Sequence, residues 1–262
     1  MKKQKSKYLI KKSLIGNCPD YHVYNMMPKD YIMGYFIGFT TTFIVLIVFF
    51  ERLVFSFIIS LIIGIFSLWP YNKYLISKRK TFLLMQFKDF LESLSASYSA
   101  GKNTFNAFKD AYNDMNQLYS SKADISNELS IIINGMENGF NIEELLNNFA
   151  LRTEIEDIQS FANTFESGNR LGSNMKSIIS NTREIISDKI DIEMEIKATV
   201  AEKKTELYIM ILMPFIIILA LKGLGDSTFS ALVPINMITR IFVLIIIIIA
   251  YFIGKKITDI KV

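Results

Sequence analysis

Four stretches of this chain carry almost no charge, and they constrain it more than any other feature. Tyr31 to Phe50 runs for 20 residues without an ionisable acid or base of the Asp/Glu/Lys/Arg set, and Leu53 to Trp69 for 17 more. Leu207 to Leu221 supplies 15, extended at its near end by Ala198, Val200 and Ala201, and residues 231–254 are apolar apart from Arg240 and the short polar stretches near Pro234. Hydrocarbon cannot satisfy an open backbone, so a segment that crosses it must be a helix of roughly 20 apolar residues or part of a closed barrel. These runs predict an all-α integral membrane protein with about four transmembrane helices. Glu51-Arg52 separates the first two runs and reads as the tight turn of a hairpin over 31–70, with spans at 31–50 and 53–69. The second pair covers 207–254, with spans at 207–221 and either 231–254 or 241–254. The choice depends on Arg240, and a guanidinium at the bilayer centre costs about 2.5–3.5 kcal/mol on the most lenient scale. The outer interface is therefore the better place for it, with residues 229–239 and Pro234 lying shallowly in the headgroups.

Orientation follows from the basic residues beside the runs. Lys2, Lys3, Lys5, Lys7, Lys11, Lys12 and Lys29 precede the first, and Lys73, Lys78, Arg79 and Lys80 follow the second. Lys203 and Lys204 precede the third, and Lys255, Lys256 and Lys261 follow the fourth. The opposite loops hold only Arg52, Lys222 and Arg240. This asymmetry predicts a multi-pass protein of the bacterial cytoplasmic (inner) membrane with both termini and residues 71–206 in the cytoplasm. Residues 1–30 read as a basic cytoplasmic tail lying on anionic lipid. A signal peptide would have an apolar core of only about 7–15 residues and a small-residue cleavage site. Residues 255–262 form the second cytoplasmic tail.

The block from 71 to 206 has no proline, and its apolar residues recur at helical spacing. Phe87, Phe90, Leu91, Leu94 and Tyr98 make one face. Phe105, Phe108 and Tyr112 make a second, Leu145, Leu146 and Phe149 a third, and Ile158, Phe161, Ala162 and Phe165 a fourth. Positions i, i+3, i+4 and i+7 share a helix face, which predicts a helical bundle. Gly-x-Asn occurs at Gly101–Asn103, Gly139–Asn141 and Gly172–Asn174. Glycine ends one helix in the left-handed region and asparagine caps the next. Thr153 and Glu156 have the spacing of a capping box. The intervals between the three signals are unequal, so they read as helix punctuation and not as a solenoid. From Asn174 to Lys222 only Pro214 interrupts the pattern, with Ile178, Ile185, Ile192 and Thr199 at intervals of seven and Ile179, Ile186 and Val200 beside them. One long helix into the third span is predicted, kinked at Pro214.

Composition excludes several chemistries. The chain has 262 residues, 51% of them hydrophobic, and 29 Lys+Arg against 25 Asp+Glu. Its polar mass lies in the central block, which rules out both a purely soluble enzyme and a transporter lying mostly in lipid. One cysteine, Cys18, and one histidine, His22, exclude a disulfide framework, a Cys- or His-rich metal centre and a His-dependent triad. No phosphate-binding glycine loop or nucleophile elbow is present. Asp188, Asp191 and Glu195 share a helix face without calcium-loop spacing, and Glu193 and Lys197 beside them read as an ordinary solvated surface. No enzyme activity, cofactor or metal is expected. Residues 81–170 carry 13 Asp/Glu against 6 Lys/Arg, a surface suited to a basic partner.

The order of these elements resembles the type II secretion F-domain family, and within it the Tad/Flp-type pilus assembly platform proteins. Phe90-Leu91-Glu92-Ser93-Leu94 leading to Ala100-Gly101 is similar to the family's leucine-rich helix. Gly139-x-Asn141-Ile142-Glu143-Glu144-Leu145-Leu146, closing on Arg152, is similar to its "G-x-x-hydrophobic-E-E-A-L…R" segment. Arg170-Leu171-Gly172-Ser173-Asn174 departs from it in having serine at the usual second glycine. Ala201-Glu202-Lys203-Lys204-x-Glu206, followed by Met213-Pro214, completes the likeness. The resemblance implies structural roles for Gly101, Gly139, Asn141, Arg152, Gly172, Asn174, Glu202, Glu206 and Pro214. It implies a non-enzymatic platform of a type IV (Tad/Flp-like) pilus or type II secretion-like machine, with 71–206 as its F domain. Such a platform couples a cytoplasmic hexameric ATPase to the extrusion of pilin subunits. It would be a homo- or hetero-oligomer, with a paralogous platform subunit as a further partner and no nucleic acid. Glu143, Glu144, Glu154, Glu156 and Asp157 are the candidate contacts with the motor. The alternative is a transmembrane signalling receptor with a cytoplasmic helical relay.

Overall fold

A computed structural model describes residues 18–24, 26–170, 175–223 and 234–258. The basic stretch 1–17, the Gly172–Asn174 signal, residues 224–233 and the last four residues lie outside the described residues. The described chain is helical, with α1 at Pro28–Phe50, α2 at Leu53–Phe66, α3 at Leu68–Ser99, α4 at Thr104–Tyr119 and α5 at Asp124–Glu137. There follow α6 at Ile142–Thr153, α7 at Glu156–Arg170, α8 at Met175–Gly223 and α9 at Pro234–Thr258. Two compact units result, one drawn from Met1–Asn25 and Lys73–Asp191, the other from Met26–Asn72 and Ile192–Val262.

The first unit is a helical bundle. Phe87, Phe90, Leu91 and Leu94 of α3, Phe108 of α4, Leu145, Leu146 and Phe149 of α6, and Ile158, Phe161, Ala162 and Phe165 of α7 are all buried. Tyr98, Phe105 and Tyr112 pack against this core from partly exposed positions. Its centre is aromatic: Phe87 meets Phe161 edge-on at 5.4 Å, and Phe90 and Phe108 lie 5.5 Å apart. On α8 the buried residues are Ile179, Ile186 and Ile190, while Ile185 and Ile192 are exposed. The seven-residue repeat therefore marks the face beside the core.

Two of the glycine signals fold as their chemistry dictates. Gly101 has φ +78° and Gly139 φ +84°, and in each turn the next amide bonds back to the preceding helix, Lys102 to the Ser97 carbonyl and Phe140 to the Gly135 carbonyl. Asn103 caps α4 by accepting from the Asn106 amide at 2.9 Å. Asn141 occupies the same position before α6 without a side-chain cap bond. Glu143 and Glu144, in that helix's first turn, place negative charge near its unpaired amides instead. The capping box at Thr153 is not formed. Thr153 is the last residue of α6, its hydroxyl donates to the Ala150 carbonyl, and α7 starts only at Glu156. The two-residue link puts Ile155 at the cap position and turns the chain through Glu154 at φ 49°.

In the second unit, α1 and α2 form the predicted hairpin, turning at Glu51 in the left-handed region and Arg52 in extended backbone. The helices approach through small residues: Gly34, Gly38, Ser56, Ser60 and Gly64 are buried. Ser67 donates to the Gly34 and Gly64 carbonyls, each at 2.8 Å. Phe39 and Phe43 of α1 meet Phe57 of α2 edge-on. Pro70 does not end the segment, because it falls in the first turn of α3, where its missing N–H would be unpaired anyway. Val48, Phe49 and Phe50 pack with Phe215 and Ile218 of α8 and with Val243, Leu244 and Ile247 of α9. A methyl group at Gly254 would overlap Leu207 of α8. Pro214 is accommodated inside α8.

Among the described residues, two helical stretches are long and apolar enough to cross a membrane, Pro28–Phe50 and Leu53–Ser99, and Ile238–Gly254 is a shorter apolar helix. Only 22% and 17% of the two apolar windows are buried, so their side chains do not form the core of a water-soluble fold. A β-carbon at Gly38 would overlap Ser67 Oγ and Cβ, atoms too close to the backbone to swing away. Gly38→Ala is expected to destabilise the hairpin by about 1–3 kcal/mol, the usual range for overpacking. Thermal unfolding in detergent checks this, with the exposed Thr40→Ala as an unaffected control.

Candidate functional site

The α6–α7 hairpin carries all five carboxylates expected to meet a partner, and it divides them between its two ends. Glu143 and Glu144 stand in the first turn of α6, beside the last turn of antiparallel α7. With Asn141, Asn147, Glu166 and Arg170 they line an open depression of about 300 Å³. Arg170 pairs with Glu166 at 2.8 Å, and Asn169 donates to Glu143. Three carboxylates against one guanidinium leave this end acidic.

Glu154, Glu156 and Asp157 belong to the other end, some ten residues or about 15 Å along α6. Side chains of the chain itself already answer two of them. Lys189 of α8 holds Asp157 at 2.9 Å, and His22 lies 3.3 Å from Glu154. Glu154 and Asp20 also act on Lys80, whose pKa is lowered because burial outweighs their attraction. Glu156 is exposed in the first turn of α7. The five residues are therefore two surfaces.

Arg152, named by the resemblance alone, lies at the centre of a buried polar cluster. Its guanidinium donates to both oxygens of Glu128, with Nη1–Oε1 at 2.6 Å, and its Nε donates to Asn148 at 2.8 Å. The Glu128 side chain is 0% exposed and that of Arg152 6%. Burial opposes the charge on Arg152, but the bonds and charge of Glu128 prevail and its pKa stands above the usual value. The Pro19 carbonyl accepts from Arg152 Nη1 at 2.9 Å, and the Tyr21 hydroxyl donates to Glu128 at 2.9 Å. Arg79 stacks 4.6 Å from the Tyr21 ring centre while its Nε bonds Asp124 at 2.8 Å. Burial, then the charge of Glu128, pushes the Tyr21 phenol far above its usual pKa. Glu128, Asp124 and Tyr21 carried no motif. Their only signal in the sequence was a glutamate among buried positions of an apolar helix, with an arginine one helix later.

A second phenol gives a pH test of the bundle. Tyr119 is pushed up to about 12 by burial and by its hydrogen bond to Asp89. A raised phenol pKa means that the folded state keeps a proton the unfolded state loses from about pH 10. The stabilisation is complete below pH 10 and disappears as pH rises toward 12. Denaturant midpoints of the full chain should fall over that interval, and Tyr119→Phe should reduce the slope.

Gly101, Gly139 and Asn141 stand at helix ends, as described, and Gly172 and Asn174 lie outside the described residues. Glu202 is exposed on α8, and Glu206 pairs with Lys203 at 3.0 Å. Arg240 donates to the Phe49 carbonyl and lies 3.5 Å from Glu51, at the α1–α2 turn and inside α9. Among the described residues no group of three His, Cys, Asp or Glu side chains is placed to hold a metal ion. The chain matches no family model, no curated protein and no solved structure.

Proposed function

We propose that this chain is an inner-membrane platform of a pilus or type II secretion-like machine, with four spans and a cytoplasmic bundle that receives motion from a separate ATPase. The observation that carries the reading is α8. One uninterrupted helix of 49 residues contributes Ile179, Ile186 and Ile190 to the bundle core and then continues as the apolar stretch Leu207–Leu221. The same helix thus belongs to both units, and its backbone ladder lacks only the bond that Pro214, with no N–H, cannot donate. The four-span arrangement rests on α1, α2, the apolar part of α8, and α9. Large apolar side chains of each are exposed, including Phe36, Ile58, Ile217 and Ile249, which water tolerates poorly over such an area.

The α6–α7 depression at Glu143 and Glu144 is the contact for the motor, and extruded pilins are the load. Both termini lie in the cytoplasm, in keeping with the lysine-rich flanks. Deleting the gene should abolish the surface fibre or the exported substrate, and the tagged full chain should recover a hexameric ATPase from solubilised membranes. Normal fibres and secretion in the deletion strain would overturn the reading.

A further inference from the structure

The chain passes between its two units at three places, Asn25 to Met26, Asn72 to Lys73 and Asp191 to Ile192. The first two crossings bracket the α1–α2 hairpin, which occupies Pro28–Phe66. On the exit side a single residue, Ser67, separates α2 from α3, and α3 is then helical without a break from Leu68 past Arg79. On the entry side residues 18–24 form neither helix nor strand, and α1 begins four positions further on at Pro28.

These two flanks meet inside the bundle unit. Tyr21, 1% exposed, belongs to the same buried core as Leu83 and Phe87 of α3 and Leu129 of α5. The Arg79 guanidinium lies 4.6 Å from its ring centre, and Asp20 attracts Lys80, the next residue of α3. Each contact is fixed in turn from behind. Asp124 accepts from Arg79 Nε at 2.8 Å, Glu128 accepts from the Tyr21 hydroxyl, and the Pro19 carbonyl accepts from Arg152. His22 lies 3.3 Å from Glu154 at the end of α6. Withdrawing the Tyr21 ring would leave a cavity in a packed core. The segment therefore lacks the low-cost local opening of a fraying terminus or loop.

We propose that residues 18–24 and the Arg79–Lys80 turn of α3 form a permanent clamp that closes residues 21–79 into one loop and holds both ends of the α1–α2 hairpin to the bundle. The two ends cannot splay while the bundle is folded. A displacement of the bundle reaches α1 and α2 together, so the hairpin moves as one piece, and the bundle acts on the membrane unit through the hairpin as well as through α8. The clamp is made of contacts within the bundle unit, and only the use of the displacement rests on the platform reading.

Cys18 is buried and is the single cysteine of the chain, so its modification by a maleimide reports opening of the clamp in the full chain in detergent. The reference is a core thiol, Ala111→Cys in a Cys18→Ser background, Ala111 being fully buried. A clamp that opens only with the bundle gives the two thiols rates within about tenfold of each other, both far below those of the urea-unfolded chain. Tyr21→Ala should accelerate both alike. A wider gap between the two rates, or acceleration of Cys18 alone, would show that the segment leaves by itself and overturn the clamp. Transmission is tested in cells by inserting about twelve Gly/Ser residues after Asn25, long enough to slacken the tie. Compared at equal membrane levels, this should cut the surface fibre or exported substrate about fivefold or more. The same insert between Ser121 and Lys122, in the exposed α4–α5 turn, should not. Undiminished output with the slack tie, where deletion of the gene abolishes output, would overturn the clamp as a transmitter. Normal output in the deletion strain instead overturns the platform reading and leaves the thiol rates to decide the clamp.

Discussion

Arg152→Ala is expected to lower the stability of the helical bundle by about 3–5 kcal/mol, the usual cost of stranding one partner of a buried ion pair. The loss exceeds the value of the bonds removed because Glu128 cannot reach water from its position. Its carboxylate must then remain charged with only the Tyr21 hydroxyl beside it, or take up a proton. Chemical unfolding of the full chain, followed by helical circular dichroism, measures the effect. Arg152→Met combined with Glu128→Leu should recover more than half of it, since both charges leave together and volume is kept. A loss below about 1 kcal/mol for Arg152→Ala would place the pair in the range of solvated surface bridges.

The second large effect concerns binding. Glu143→Lys with Glu144→Lys changes the local charge by four units at the mouth of the α6–α7 depression, leaving Glu166 to face Arg170 and two lysines. Removing the attraction and adding repulsion should cut recovery of the ATPase with the full chain by tenfold or more. Both residues lie in the first turn of α6, where lysine opposes the helix dipole. Unfolding midpoints must therefore be measured alongside and should shift by no more than about 1 kcal/mol. Glu156→Lys, at the other end of the hairpin, should leave recovery nearly unchanged. Equal losses from both ends, or none from either, would remove the depression from the proposed contact.

Periodicity made most of the bundle legible, because burial of one face is written into spacing: Phe87 to Leu94 and Ile158 to Phe165 went where their intervals put them. Gly101 and Gly139 were readable for a similar reason, since few residues but glycine turn a helix at positive φ. Thr153 misled because a capping motif fixes chemistry but not the length of the link in which it sits. The α8 isoleucines were ambiguous because intervals of seven fit either of two neighbouring stripes. The divided acidic surface and the Tyr21 socket were beyond reach. Glu143 and Glu154 are close in sequence yet face opposite ends of a hairpin, and Tyr21 meets Glu128 across 107 positions. Such pairings depend on tertiary packing, which leaves no local pattern.

Arg240 has one more consequence. Anchored at the turn beside Phe49 and Glu51, it leaves Ile241–Gly254 as the apolar part of α9, about 21 Å at 1.5 Å per residue. Leu207–Leu221 is about as short. A bilayer whose oily slab is about 30 Å deep must dimple to meet such helices, or they must draw in their neighbours. If the proposed four-span platform is right, lipid around this protein is locally thinned, and a subunit extruded there has less hydrocarbon to cross.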